Sequence, residues 1–382
     1  MSQSFDAIVV GLGAMGSAAA FHLARRGVRV LGLEQFDIPH NLGSSHGHSR
    51  MIRLAYYEHA DYVPLLKRAY ELWEELEKLS GQKLLFKTGG IYMGPADGEV
   101  VPGARGAARQ YGLAHEMLSW DELRKRYPMF SLPEGYAGIY EPEAGFLLPE
   151  LCISTYAAAA MNGGAELHAH EAVMDWSANS RGVTVRTSKG TYNAERVIFC
   201  GGAWTSQLLK ELSAPLVVTR QILGWIGPRR EAELFSLGRF PVWGIEQADQ
   251  SLAYGFPILP NVPGLKLARH AAGEPTEVDT IRREIGEKDE AEIREIVDRH
   301  LPTAAGPIVG LRTCMYTNSL DGHFILDQIP GHENVLMAGG FSGHGFKFAS
   351  VVGEVLAELA VDGHTRLAVG FLGLSRFRVK NG

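Results

Sequence analysis

Apolar and polar positions along the chain sort into elements of two kinds. Ala7–Val10 is an unbroken apolar run, the pattern of a strand covered on both faces in a parallel sheet. Ser17–Arg26 carries helix-forming residues and stops at Gly27, and Val28–Leu33 reads as a second strand closing on Glu34. Residues 61–79 repeat at helical spacing, with Leu65, Leu66, Ala69, Leu72, Trp73 and Leu76 sharing one face. Residues 84–93 predict a strand, a glycine turn and a strand, 104–116 a helix, and Trp120–Tyr127 a helix with Ser119 as N-cap. A helix over 148–162 precedes strands across 165–201, the last of which, Arg196–Phe199, runs into Cys200-Gly201-Gly202. Segments 215–227, 241–246, 252–258 and 264–270 predict an antiparallel sheet, and Thr276–His300 a charged, mostly helical stretch. Asn334–Gly340 is again a strand into glycines, followed by a helix over Phe346–Val361 with little charge before Glu354. Elements of the opening kind recur in the middle and at the end, which predicts an α/β protein of two domains interleaved in sequence.

Between the first strand and the first helix, the stretch Gly11, Leu12, Gly13, Ala14, Met15, Gly16 has the G-x-G-x-x-G spacing. Gly11 permits the tight turn, Gly13 lets the backbone approach a pyrophosphate, and Gly16 lets helix and strand pack closely. Unpaired N–H groups and the helix dipole favour negative charge there. Glu34, at the end of the second strand, is placed to accept hydrogen bonds from ribose hydroxyls and to repel a 2′-phosphate. With both strands, the helix and the acid in place, a dinucleotide is the expected ligand.

At 382 residues, the chain accommodates two domains or one large one. Hydrophobic content of 46% and charged content of 21% are those of an ordinary globular protein. The net charge of −6, without a long basic run, argues against nucleic-acid binding. No apolar stretch is long enough to span a bilayer, so no membrane is expected as a partner. The sequence enters a strand at once with no signal-peptide pattern, and Cys152, Cys200 and Cys314 make no C-x-x-C pair or metal spacing. No metal is therefore expected, and a reducing cytoplasm is the expected location.

Four clusters carry candidate chemistry. In Phe341–Lys347, Gly343 and Gly345 flank His344, so the backbone can press against a flat ligand. Lys347 falls in the first turn of a helix, where the dipole disfavours a cation unless an anion is near. Gly43–Arg53 contains Ser44, His46, Arg50 and Arg53, and its apolar neighbours suggest burial. If that segment is helical, the two arginines fall near one another, and either can clamp a carboxylate with its planar fork. Arg312–Thr317 contains Cys314 and Tyr316, and a lone cysteine is most often a small buried hydrophobe. In Gly264–His270, strand alternation puts Lys266, Ala268 and His270 on one face, and a lone strand lysine usually meets solvent.

Together these clusters resemble the monomeric sarcosine oxidase and N-methyltryptophan oxidase family of flavoproteins. The resemblance is carried, in order, by IVVGLGAMGSAAAFHLARRG, GSSHGHSRMIRLAYYE, YVPLLKRAYELW, GLKLARH, CMYT…DGHFILD and GFSGHGFKFASVVGEVL. It implies FAD rather than NAD, in a Rossmann-type, glutathione-reductase-like domain interleaved with an antiparallel or mixed-sheet substrate domain. The expected boundaries are 1–84, 148–217 and 311–382 for the FAD domain, and 85–147 and 218–310 for the other. The cofactor-binding set is then Gly11, Gly13, Ala14, Met15, Gly16, Glu34, Ser44, Arg50, Cys314, Gly343, His344, Gly345 and Lys347. Cys314 stands where the family's cysteine forms a thioether to the flavin, a step that needs a thiolate and is favoured by nearby cations.

By the same resemblance, Arg53 and Lys347 hold a substrate carboxylate, and His46 and Arg50 lie beside the flavin ring. Lys266 activates oxygen, since a fixed cation stabilises superoxide, and Tyr254, His270 and Tyr316 line the substrate cavity. The implied activity is oxidation of secondary N-methyl amino acids by O2, giving hydrogen peroxide, in a monomer. Oxidases or dehydrogenases of other amines (N-methyltryptophan, cyclic amines such as pipecolate, glycated amino acids) are the alternatives, as is a flavin-binding protein without turnover. The chain departs from the best-known members at Leu54–His59, which reads LAYYEH where they have a histidine first and a glycine before the glutamate. His48 also replaces an acid and Ser45 a histidine.

Overall fold

The computed structural model describes residues 4–210 and 216–377. Pro215 of the expected strand 215–227, and residues 1–3, 211–214 and 378–382 of the expected FAD domain, lie outside the described residues. An eight-stranded sheet has Ser4–Val10 at its centre, parallel to Val30–Leu33 on one side and to Thr191–Phe199 on the other. Val335–Gly339 adds a further parallel strand beside Val197–Phe199, so the expected start, middle and end segments meet in one sheet. Val10 pairs in register with both Leu33 and Phe199, which puts the carboxyl ends of three strands at one level.

Helix Ala14–Arg25 begins three residues earlier than its helix-forming run and is buried from Ala14 to Ala24. Its alanines let neighbouring helices approach closely. A side chain at Gly353 of helix Ala349–Asp362 would lie 2.6 Å from Ala18, and helix Pro149–Asn162 covers the opposite flank.

The second sheet has nine strands and is antiparallel except where Val242–Glu246 runs parallel to Gly90–Pro95. Strand Ile308–Asn318 pairs with Val217–Ile226 along its whole length, Cys314 opposite Gln221. Residues 311–318 are thus hydrogen-bonded into the second sheet, although the expected boundary assigned them to the FAD domain. A small third sheet joins Arg50–Ile52, Gly145–Leu147 and Leu85–Lys87 across the expected boundary at 84/85.

Three local expectations are corrected. Arg50–Ile52 is a strand, so the helical condition on its arginines is not met: it pairs with Gly145–Leu147, whose Gly145 in turn lies so close to Phe86 that a Cβ would fall 1.9 Å from the Phe86 carbonyl. Only Glu287–His300 of the charged stretch 276–300 is helical. The carbonyls of Arg282 and Glu284 are taken by the buried Arg220 guanidinium, which also pairs with Asp289 at 2.7 Å. The helix expected over 104–116 runs Val100–Gln110, because the Glu246 carboxylate accepts from the Glu99 and Val100 N–H groups and Gly112 turns left-handed at φ 62°. Ser119 and Glu122 form the capping box of Trp120–Arg126. No helix among the described residues is long and apolar enough to cross a membrane.

Candidate active site

A cavity of about 1050 Å3 opens at the carboxyl ends of the central strands. Gly11, Gly13, Ala14, Met15, Glu34, Ser44 and Arg50 line it, as do Tyr316, Gly343 and Gly345. Gly16 lies behind the wall: a Cβ there would fall 1.8 Å from the Gly11 carbonyl oxygen, and one on Gly11 (φ 87°) 2.5 Å from that of Cys200. Helix Ala14–Arg25 starts at Gly13 with no side-chain cap and no acid in its first turn, so its first N–H groups face the cavity unpaired. The buried Glu34 carboxylate accepts from the Leu12 and Phe36 N–H groups at 2.8 and 3.1 Å, which fixes it at the cavity wall. The donor set matches FAD: amides for a pyrophosphate and a held carboxylate for a ribose.

At the far end, the cations come from three separate segments. Arg50 donates to the Ser44 and Ser49 carbonyls, and its Nη2 lies 3.6 Å from Cys314 Sγ. Cys314 is 2% exposed, with its sulfur also 3.8 Å from the Ser44 carbonyl. Lys266 is 3% exposed rather than solvent-facing. Its Nζ donates to the Gly47 and Ser49 carbonyls and to Ser49 Oγ at 2.6–3.2 Å, under the Phe256 ring. Burial, then Arg50, pushes its pKa well below the ordinary lysine value. Three oxygen acceptors for three N–H donors are nonetheless the partner set of an ammonium.

Arg53, buried at 3%, donates to the Ala55 carbonyl and grips the Glu58 carboxylate at 2.5 and 2.6 Å. The rings of Tyr56, Tyr57 and Tyr92 surround the guanidinium at 4.2, 4.7 and 4.9 Å. Lys347 faces the same Tyr56 ring at 5.2 Å and donates to the His344 carbonyl. Burial, followed by the Arg53 charge, pushes Lys347 down to about 7 against the pull of Glu58. Burial opposes ionisation of Glu58, but Arg53 first, with His344 and Lys347, outweighs it and holds the carboxyl at about 2. His270 Nδ1 lies 3.2 Å from the Tyr316 hydroxyl, and burial pushes this histidine down to about 4, so it is neutral.

Of the expected far-end residues, Arg50, Tyr316, Gly343 and Gly345 line the first cavity, while Arg53, Tyr254, Lys266, His270, Cys314, His344 and Lys347 are packed outside its lining. His46 lines a second cavity instead. The half-buried His344 ring bonds the Tyr56 hydroxyl and the Gly322 carbonyl. The carbonyl contact puts the proton on Nε2, so Tyr56 donates to Nδ1. Side chains on Gly343 and Gly345 would first strike the Tyr316 and Phe341 rings, at 2.4 and 2.5 Å, so protein packing alone already requires these glycines. Tyr254, half-buried, packs against the Phe256 ring.

Sequence reasoning missed Tyr92, Glu141 and Glu150. Glu141 accepts from the Leu54 and Ala55 N–H groups and turns Arg53 inward. Glu150 accepts from Gly47 and His48, which stand at φ 98° and 68°. Its position behind Pro149 in a first helical turn was a readable sign of an acid with work at a helix start; Tyr92 and Glu141 sit in strands with no such sign.

An uncapped glycine turn with a held carboxylate at one end, and buried cations at the other, define a flavin-dependent oxidoreductase. The chain belongs to the FAD dependent oxidoreductase family, whose model matches residues 6–359. It is 41% identical to the monomeric sarcosine oxidase of Streptomyces avermitilis, covering 97% of each chain. It is 34% identical to the N-methyl-L-tryptophan oxidase of Yersinia pestis, covering 98% of this chain and all of that one. Among solved structures, NikD, titled an unusual amino acid oxidase essential for nikkomycin biosynthesis, superposes with a TM-score of 0.85 at 26% identity. That match covers 97% of this chain and 98% of NikD. The expected family, fold class and FAD thus stand.

Proposed function

We propose that this chain is an FAD-dependent oxidase of secondary N-methyl amino acids, sarcosine among them. The observation that carries the reading is the buried pair Arg53 and Lys347, sharing the Tyr56 ring, with a carboxylate, Glu58, already in the arginine's fork. A substrate carboxylate takes the place of Glu58 on Arg53 and gains Lys347 as a second partner. Lys347, near 7 without that anion, picks up or keeps its proton as the carboxylate arrives. The two cations disfavour a protonated amine close by, and the neutral His270–Tyr316 pair adds no charge. The substrate is therefore held as the neutral amine, in one orientation, which is chiefly a proximity contribution.

FAD supplies the two-electron acceptor and its reoxidation by O2. Lys266, fixed by three oxygens, presents the cation that stabilises negative charge developing on oxygen. The net reaction takes N-methyl amino acid, O2 and water to amino acid, formaldehyde and hydrogen peroxide. Cys314, beside Arg50 and next to the cavity-lining Met315 and Tyr316, is proposed to carry the flavin covalently. Relatives monomeric by name and three free, buried cysteines support a single chain working in a reducing cytoplasm.

The test is anaerobic bleaching of the yellow protein by a panel of N-methyl, cyclic and glycated amino acids, with peroxide measured after air is admitted. Bleaching by sarcosine with stoichiometric peroxide is expected. Bleaching by cyclic or glycated amines only, or reoxidation only by an artificial acceptor, overturns the substrate or the oxidase reading. Acid precipitation tests the link separately: colour in the supernatant refutes it.

A further inference from the structure

The second cavity, of about 960 Å3, lies between the 36–48 loop, the small third sheet and the 259–262 loop, and shares only Pro39 and His40 with the first. One side is apolar: Phe86, Phe146, Leu148, Leu237, Leu259 and Val262, with Phe86 and Phe146 stacked at 5.0 Å and 2°. The other side is polar and incompletely partnered. His46 is 1% exposed, and neither of its ring nitrogens has a hydrogen-bond partner. Arg312, at the rim, has its guanidinium 5.5 Å over the Trp225 ring, and no hydrogen bond or ion pair among the described residues.

Of the two carboxylates on the wall, Glu150 is turned to the Gly47 and His48 N–H groups, and Asp37 to His170 at 2.9 Å. Neither neutralises Arg312. A buried imidazole with an unused N–H, an unpaired guanidinium and an apolar chamber form a surface complementary to an anionic head on an apolar body. The volume falls within the range of small-molecule sites. We propose that this cavity binds an apolar monocarboxylate, its carboxylate on Arg312 and the His46 ring and its chain along the Phe86–Phe146 stack toward Val262. Gly47, between the cavity-lining His46 and His48, gives its carbonyl to Lys266, so an occupant lies one residue from the oxygen-side cation.

Calorimetric titration of the FAD-loaded chain with decanoate tests this without turnover, so the result is independent of the oxidase reading. One site per chain is expected, weakened at least about tenfold by Arg312→Gln and by Val262→Trp. Binding of 1-decanol should be insensitive to Arg312→Gln. Variants are compared only where flavin content and melting temperature match the parent, and either one alone decides. Absence of decanoate binding, equal affinity in a matched variant, or displacement of decanoate by sarcosine overturns the proposal.

Discussion

The glycine turn and the buried cation cluster at the two ends of the candidate site handle negative charge by opposite means. At the strand-end turn, Gly11–Gly16 holds no charged side chain, and the field comes from the N–H groups of an uncapped helix. At the far end, two cations are buried: burial, then the Arg53 charge, pushes Lys347 below its ordinary value, whereas for Arg53 burial is outweighed by Glu58, which holds it well above its own. Backbone dipoles need no counter-ion and are already aligned when a pyrophosphate arrives. Buried side-chain charges do need one, and Glu58 supplies it; under the proposed function a substrate carboxylate takes its place. The first arrangement suits a permanent cofactor, the second a ligand that comes and goes.

The largest effect is expected at the backbone end. Gly16→Ala forces a Cβ to 1.8 Å from the Gly11 carbonyl, and neither the helix nor the strand it packs on can give way. The purified variant should contain little or no FAD by its absorbance. Gly13→Ala sharpens the comparison, because a Cβ there meets nothing within 4 Å. Its apo fold should match the parent in thermal unfolding while FAD binds more weakly, since only the ligand is crowded. Full flavin content in Gly16→Ala would show that the turn does not depend on that close approach.

At the charged end, Arg53→Met should cost roughly 2–5 kcal/mol of transition-state binding, about 30- to several-thousand-fold in kcat/KM for sarcosine. It also strands Glu58 without its partner, so the melting temperature should fall as well. The double variant Arg53→Met, Glu58→Gln separates the two effects: stability should return and activity should not. An unchanged kcat/KM in the single variant would remove Arg53 from the substrate site.

The same contrast explains what was legible in the sequence. The nucleotide end is written in nearly consecutive residues, so spacing alone pointed to Gly11, Gly13 and Glu34, which share a cavity wall, and to the close approach at Gly16 behind it. The far end is assembled from strand Arg50–Ile52 and its following turn, strand Leu265–His270, strand Ile308–Asn318 and the 341–347 loop. Periodicity within any one of them says nothing of the others. Lys266 looked like a surface lysine because its burial depends on the loop at Gly47–Ser49, more than 200 positions away. Only a helix would have brought Arg50 and Arg53 side by side, and the strand and the turn after it send them to different partners: Arg50 to Ser44 and Cys314, Arg53 to Glu58. His344 carried the signal of a ligand contact, yet its ring is taken up by Tyr56 and Gly322. Hydrogen bonds between distant segments leave no period in the chain.

The smallest expected effect is a pH slope, and its sign is set by Lys347. A lysine titrating near 7 in the folded chain, against about 10.4 unfolded, is a depressed base. Its cost to the ligand-free fold is fully present below about 7 and fades as pH rises toward the unfolded value. Ligand binding runs the other way. Below about 7 the ammonium already stands ready for a carboxylate; above it, each binding event must take up a proton. Affinity for a simple carboxylate without an amine, such as propionate, should therefore fall as pH rises through that range, by at most about tenfold per unit. Titration of the flavin spectrum measures it, and Lys347→Met should give a flat profile. A flat profile in the parent would mean that Arg53 alone carries the anion. A slope that survives Lys347→Met would remove Lys347 as the group that takes up the proton, and neither His270 nor His344 could replace it, since they titrate too low, at about 4 and about 3.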